Sequence, residues 1–217
     1  MVAIAAHDPI PVTVQPDGLK GLLGVPAGAR GIVIFAHGSG SGRLSPRNNH
    51  VARGLRDAGL ATLLVDLLTP REEQERANVF DIPLLASRLK GATEWTGLLP
   101  GIAALPVGYF GASTGAGAAL LAASDGASRV AAIVSRGGRP DLAGSAALAH
   151  VRAPTLLIVG GRDLPVIELN RVAMRHLHAE SELAVVPGAT HLFEEPGTLD
   201  EVIDHAARWF LRYFRDI

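Results

Sequence analysis

The chain is 217 residues long, enough for one well-filled core and short for two, so residues 1–217 read as a single domain. Twenty Lys and Arg against twenty-one Asp and Glu leave a formal charge of −1 with eight histidines neutral, which excludes the clustered basic excess of a nucleic-acid or anionic-membrane binder. Hydrophobic residues at 48% and charged ones at 19% describe a folding chain, and the lack of cysteine excludes disulfides, thiolate zinc sites and a cysteine nucleophile.

Residues 1–8 have neither the basic start nor the long apolar run of a secretory signal. No run of about eighteen apolar residues is present to cross a membrane, so a soluble, cytoplasmic protein is expected. Residues 12–14 and 19–25, joined by Gln15-Pro16-Asp17-Gly18, read as an opening antiparallel hairpin. Residues 32–35 are apolar without polar alternation, the pattern of a strand covered on both faces, and 61–65, 107–110, 131–134, 155–159 and 183–186 repeat it. Helical stretches fall between them at 49–58, 82–98, 113–123, 166–178 and 199–214, the last with Val202, Ala206, Phe210 and Phe214 on one face. This alternation predicts an α/β domain with about eight strands in a mostly parallel sheet. The polar stretch 69–78, with its charges between Arg71 and Arg76, is expected to form a solvated loop or helical turn, with a small lid as the alternative.

After the strand at 107–110 comes Gly111-Ala112-Ser113-Thr114-Gly115, a G-x-S-x-G between strand and helix. Such a turn strains the serine backbone and is tolerable only where the flanking positions carry no colliding side chain. A serine hydroxyl is a weak nucleophile and needs a base that a third group orients. The elbow therefore predicts an acid and then a histidine, each just past the C-terminal end of a strand. Asp163 follows 155–159 after Gly160-Gly161-Arg162, and His191 follows 183–186 after Pro187-Gly188-Ala189-Thr190. Asp141 is the second-choice acid. His176 and His178 fall on roughly opposite sides of a helical stretch near its C-terminus, and His205 is mid-helix.

Acyl chemistry also needs donors for the tetrahedral oxyanion. The backbone N–H of Thr114 is one candidate; the other is that of Ser39, in the glycine-rich Ala36-His37-Gly38-Ser39-Gly40-Ser41-Gly42-Arg43. His37 precedes the serine, the wrong order for the base, and reads as a structural hydrogen-bonder. The same glycines complete no Gly-x-Gly-x-x-Gly and lead to no Gly-Lys-Ser/Thr, so nucleotide binding is not expected there. No cofactor is implied, and no His-Glu-x-x-His or histidine cluster suggests a metal.

The segments Phe35-Ala36-His37-Gly38-Ser39-Gly40-Ser41, Gly111-Ala112-Ser113-Thr114-Gly115, Gly160-Gly161-Arg162-Asp163 and Pro187-Gly188-Ala189-Thr190-His191-Leu192-Phe193 resemble the α/β-hydrolase superfamily, in its small dienelactone hydrolase-like branch, over nearly the whole chain. The resemblance implies an eight-stranded, mostly parallel sheet with helices on both faces and a Ser-His-Asp site at its edge. It also implies that the large cap inserted after the sixth strand in bigger relatives is missing here. Dienelactone hydrolases proper carry cysteine at the elbow where this chain has Ser113, which makes an ordinary carboxylic ester the expected substrate.

Arg43, Leu44 and Arg47, after the oxyanion loop, and Arg136, after the sixth strand, are expected to border the substrate, with Arg47 or Arg136 binding a carboxylate or phosphate on it. The expected activity is that of a serine esterase, with Ser113 as nucleophile, His191 as base and Asp163 as orienting acid. Acyl transfer and thioester or lactone hydrolysis would use the same residues; a non-catalytic binding module on this fold is the alternative class. The expected partner is a small-molecule ester, with neither nucleic acid nor membrane, and a homodimer is left open.

Overall fold

The structure, a computed structural model, describes residues 6–214; the reading of residues 1–5 falls outside them. In chain order it comprises β1 (Ala6–Val14), β2 (Leu19–Val25), β3 (Ile32–Ala36), α1 (Pro46–Asp57), β4 (Ala61–Val65), the short α2 (Arg76–Val79), α3 (Ile82–Thr96), β5 (Val107–Ala112), α4 (Thr114–Ala123), β6 (Val130–Arg136), α5 (Ser145–His150), β7 (Thr155–Gly160), α6 (Leu164–Met174), β8 (Ser181–Val186) and α7 (Thr198–Tyr213). One eight-stranded sheet has the order β1-β2-β4-β3-β5-β6-β7-β8. The β1–β2 hairpin joins β4 antiparallel, and every later pairing is parallel.

β3, β4 and β7 are buried along their whole length because helices cover both faces. On one face Val51 and Leu55 of α1 and Phe210 of α7 join Val33, Phe35 and Phe110. On the other, Leu85 and Leu89 of α3 and Leu120 of α4 join Ile34, Leu63 and Tyr109. Among the described residues no helix is long and apolar enough to cross a membrane.

Several boundaries differ from the sequence reading. β1 begins at Ala6, with an irregular register between Ala6 and Ile10 that hides its period-two pattern. α1 begins at Pro46, because the Ser45 hydroxyl accepts from the Asn48 N–H and Pro46 presets the first helical φ. α6 ends at Met174, so His176 and His178 lie beyond the helix, exposed, in turns closed by bonds from His176 N to Ala173 O and from Leu177 N to Met174 O. β6 runs on through Ser135 and Arg136, which pair with Leu157 and Ile158, so Arg136 belongs to the strand and not to the loop after it. Within 69–78, a 3-10 turn at Glu72–Gln74 leads into α2. It is anchored by Glu72, whose carboxylate accepts from the N–H and hydroxyl of Thr69 and from Arg88.

Candidate active site

Ser113 stands between β5 and α4 at φ 50°, ψ −123°, a conformation that costs a non-glycine residue about 1–3 kcal/mol and persists only where neighbours over-determine it. Its carbonyl accepts from Arg139 N at 3.0 Å and Ala116 N at 3.1 Å, and its N–H faces the Arg136 carbonyl at 3.4 Å. A Cβ on Gly115 would collide with the carbonyl oxygen of Ala36 and lie 2.5 Å from that of His37. The elbow thus packs backbone to backbone on the loop after β3, which is why a side chain is not tolerated there.

The residues expected as acid and base are in contact. His191 Nδ1 lies 2.7 Å from Asp163 Oδ2, with the side chains 39% and 14% exposed. Asp163 precedes α6 in the N-cap position but makes no capping bond, so its carboxylate serves the imidazole. Two backbone bonds, Gly161 N to Val186 O at 2.8 Å and Arg162 N to Ala189 O at 2.9 Å, fasten the loops after β7 and β8 together. A Cβ on Gly160 would lie 2.5 Å from the carbonyl oxygens of both Ala189 and Thr190. Buried Phe193, at φ 55°, anchors the histidine loop from below. With Nδ1–H donated to the carboxylate, Nε2 is left as the basic nitrogen.

The imidazole rests on the end of β6: a Cβ on Gly137 would lie 3.6 Å from His191 Cε1. The elbow and the imidazole therefore flank the same two residues, Arg136 and Gly137. Ser113 makes no side-chain hydrogen bond among the described residues. Asp141, the second-choice acid, has both its oxygens on Arg139, at 2.8 and 2.7 Å.

On the oxyanion side, Ser39 N–H donates to Thr114 Oγ1 at 3.0 Å. The two residues named for the oxyanion hole are adjacent, but the Ser39 donor is engaged and not free as expected. His37 is structural. Leu67 N–H donates to its Nε2 at 3.0 Å, which puts the ring proton on Nδ1, facing the Gly38 carbonyl at 3.0 Å. A cavity of about 590 Å³ opens along this loop, bordered by Ser39, Arg43, Leu44 and Arg47 and by Leu68, Val79 and Leu85.

Arg43 is held by Asp66 through its backbone N–H at 2.6 Å and its guanidinium. Arg47 pairs with Glu194 at 2.9 Å, and Leu44 is 68% exposed on the rim. Arg136 does not border this cavity: it lies buried beneath α1, its Nη2 3.4 Å from Asn48 Oδ1 and its guanidinium 5.9 Å from the Phe193 ring centre. Asp66, directly after apolar β4 at the same sheet edge, was findable by the rule that found Asp163; Glu194 carried no such signal. Among the described residues no group of three His, Asp or Glu could hold a metal ion.

No protein-family model matches the chain. A solved dienelactone hydrolase from Anabaena variabilis is 57% identical and superposes with a TM-score of 0.90, covering 96% of this chain and 100% of that one. Est1E from Butyrivibrio proteoclasticus superposes with a TM-score of 0.79 at 14% identity over 95% of this chain and 98% of its own, a likeness of fold. Curated proteins from two strains of Mycobacterium tuberculosis, each provisionally named a phosphoribosyl transferase, are 60% identical over 213 residues, 95% of this chain. The chain spans about half their length, 48%. Its likeness to the Anabaena variabilis protein, over the whole of that chain, places this protein in the dienelactone hydrolase family of α/β-hydrolases.

Proposed function

We propose that the chain hydrolyses carboxylic esters through an acyl-enzyme on Ser113. The observation that carries this reading is the 2.7 Å bond between Asp163 and His191, set beside a strained serine at the same sheet edge. Ser113 Oγ adds to the ester carbonyl while His191 Nε2 takes its proton, and Asp163 holds the Nδ1–H tautomer and stabilises the imidazolium. The oxyanion meets Thr114 N–H at the positive end of α4. Ser39 N–H joins it once the Thr114 hydroxyl rotates away, at the cost of one neutral hydrogen bond, about 1 kcal/mol. The alkoxide leaves with the proton from His191, and a water then repeats the sequence to release the acid.

The transferase name belongs to proteins about twice this length. The glycine loop here completes no phosphate-cradling motif, so we assign ester chemistry to the half that this chain spans. A panel of esters, thioesters, lactones and amides, run on the wild type and on Ser113→Ala, tests the reading. A small activated ester is expected to turn over at least about 10³-fold more slowly in the variant with its melting temperature retained. Activity surviving in a purified Ser113→Ala protein overturns it.

A further inference from the structure

Three consecutive residues after β6 lie between the expected base and nucleophile. Gly137 N–H donates to Ile158 O at 2.8 Å, and a Cβ on Gly137 would lie 3.0 Å from the His191 carbonyl oxygen and 3.6 Å from His191 Cε1. Arg139 N–H donates to the Ser113 carbonyl at 3.0 Å. Between them Gly138 packs on the start of α4, where a Cβ would collide with Ser135 Oγ and lie 2.6 Å from Ala116 Cβ. One end of this tripeptide meets the imidazole and the other meets the elbow, so its position governs how the two face each other.

A side chain from outside the site holds the middle of the tripeptide. Asn170 of α6 is fully buried, and its Nδ2 donates to Gly138 O at 3.0 Å and to Val166 O, one turn back in its own helix, at 2.8 Å. With Nδ2 on two carbonyls the amide orientation is fixed, because the flipped amide would set oxygen against oxygen. Its Oδ1 has no hydrogen-bond partner among the described residues. A buried acceptor left unpaired is costly, and an apolar side chain of similar size would avoid that cost. The amide is therefore explained by what its Nδ2 does. Asp163 stands at the N-cap position of this same α6. Asn170 thus connects the helix that begins at the acid to the tripeptide that touches base and nucleophile.

We propose that Asn170 is a positioning residue for catalysis, which sets Ser113 against His191 by pinning the Gly138 carbonyl to α6. The proposal rests on the serine-hydrolase reading and names the part that aligns its nucleophile. The Asp163–His191 pair does not depend on this bond, since the Gly161 and Arg162 backbone bonds hold the loops after β7 and β8 together. Loss of the Asn170 amide therefore leaves the base oriented by its acid and lets the elbow drift from it, an error of alignment that lowers kcat.

Two substitutions test this. Asn170→Leu keeps the bulk and removes both bonds. Asn170→Ser lets a hydroxyl bond back to Val166 O, as the Thr93 hydroxyl does to Leu89 O at 3.0 Å, and removes only the link to Gly138. Both are expected to melt within about five degrees of wild type, and if Asn170→Leu fails to fold, Asn170→Ser carries the test. With a small activated ester, kcat is expected to fall at least about tenfold while KM stays within about twofold. Labelling of Ser113 by a fluorophosphonate is expected to slow by a similar factor. The low-field Nδ1 proton resonance of His191 is expected to persist, which shows that the acid–base pair is intact. A merely structural Asn170 would lower the melting temperature and leave kcat and the labelling rate of the folded protein unchanged, and that result overturns the proposal. So does a rise in KM at constant kcat, or loss of the Nδ1 resonance. A wild type that labels and turns over beside equally active variants would sink the positioning role alone. A wild type that neither labels at Ser113 nor hydrolyses any ester would sink the hydrolase reading and this role with it.

Discussion

The loops after β7 and β8 and the loops after β3 and β4 reach the same sheet edge but are held there by different forces. The first pair is sewn by backbone: the bonds from Gly161 and Arg162, the close approach at Gly160, and the Asp163–His191 contact. The second pair is held mostly through side chains: Leu67 N–H donates to His37 Nε2, Asp66 holds Arg43, Glu194 pairs with Arg47, and Arg88 lies between Glu72 and Asp17. Backbone seams leave no rotamer freedom, whereas an exposed ion pair such as Arg47–Glu194 contributes about 0–1 kcal/mol and rearranges readily. The contrast fits the proposed chemistry: the half that carries the acid and base is preorganised, and the half that borders the cavity can adapt.

Three substitutions probe that contrast. The largest effect is expected from Asp163→Asn, which leaves the seam intact but offers the imidazole the wrong partner. Steady-state kinetics should show kcat reduced about 10⁴-fold with the melting temperature little changed. Next comes Gly160→Ala, whose added Cβ pushes against the Ala189 and Thr190 carbonyls and parts the two loops. Its kcat should drop about 10²-fold, the usual effect of a displacement near 1 Å, and more than its KM changes.

The smallest effect lies on the charged side. The Thr69 N–H, followed by the Thr69 hydroxyl and Arg88, holds the Glu72 carboxyl below its ordinary value of 4.5. A depressed carboxyl pKa contributes stability that is present above the ordinary value and lost as pH falls through the folded-state one. Hydrogen exchange over residues 69–80 should therefore quicken as pH drops below about 4.5, after correction for the intrinsic exchange rate. Glu72→Gln should remove that dependence at a cost of about 1 kcal/mol locally. The same dependence in Glu72→Gln would show that the Glu72 carboxylate does not anchor this loop.

The same contrast explains what the sequence disclosed. Ser113, Asp163 and His191 each follow an apolar strand in the required order, and the glycines beside Ser113 and Asp163 are local marks of close backbone approach. The eight-strand, mostly parallel sheet was legible for a similar reason, since strands covered on both faces leave unbroken apolar runs. Arg136 was misplaced because the apolar run ends at Val134, whereas β7 extends the pairing to Arg136 and α1 buries it. The Ser39–Thr114 bond joins residues 75 positions apart, and the Arg47–Glu194 pair joins residues 147 apart. Neither leaves a local trace. What backbone and periodicity fix can be read along the chain; what long-range side-chain contacts fix cannot.

The central claim is that Ser113 is a nucleophile activated by His191 and Asp163. Intact-protein mass spectrometry after brief exposure to a fluorophosphonate, followed by peptide mapping, tests it directly. The account predicts a single adduct on the peptide containing Ser113, formed rapidly in wild type, far more slowly in Asp163→Asn and not at all in Ser113→Ala. Rapid labelling at another residue, or ester turnover by a protein whose Ser113 is never modified, would contradict it.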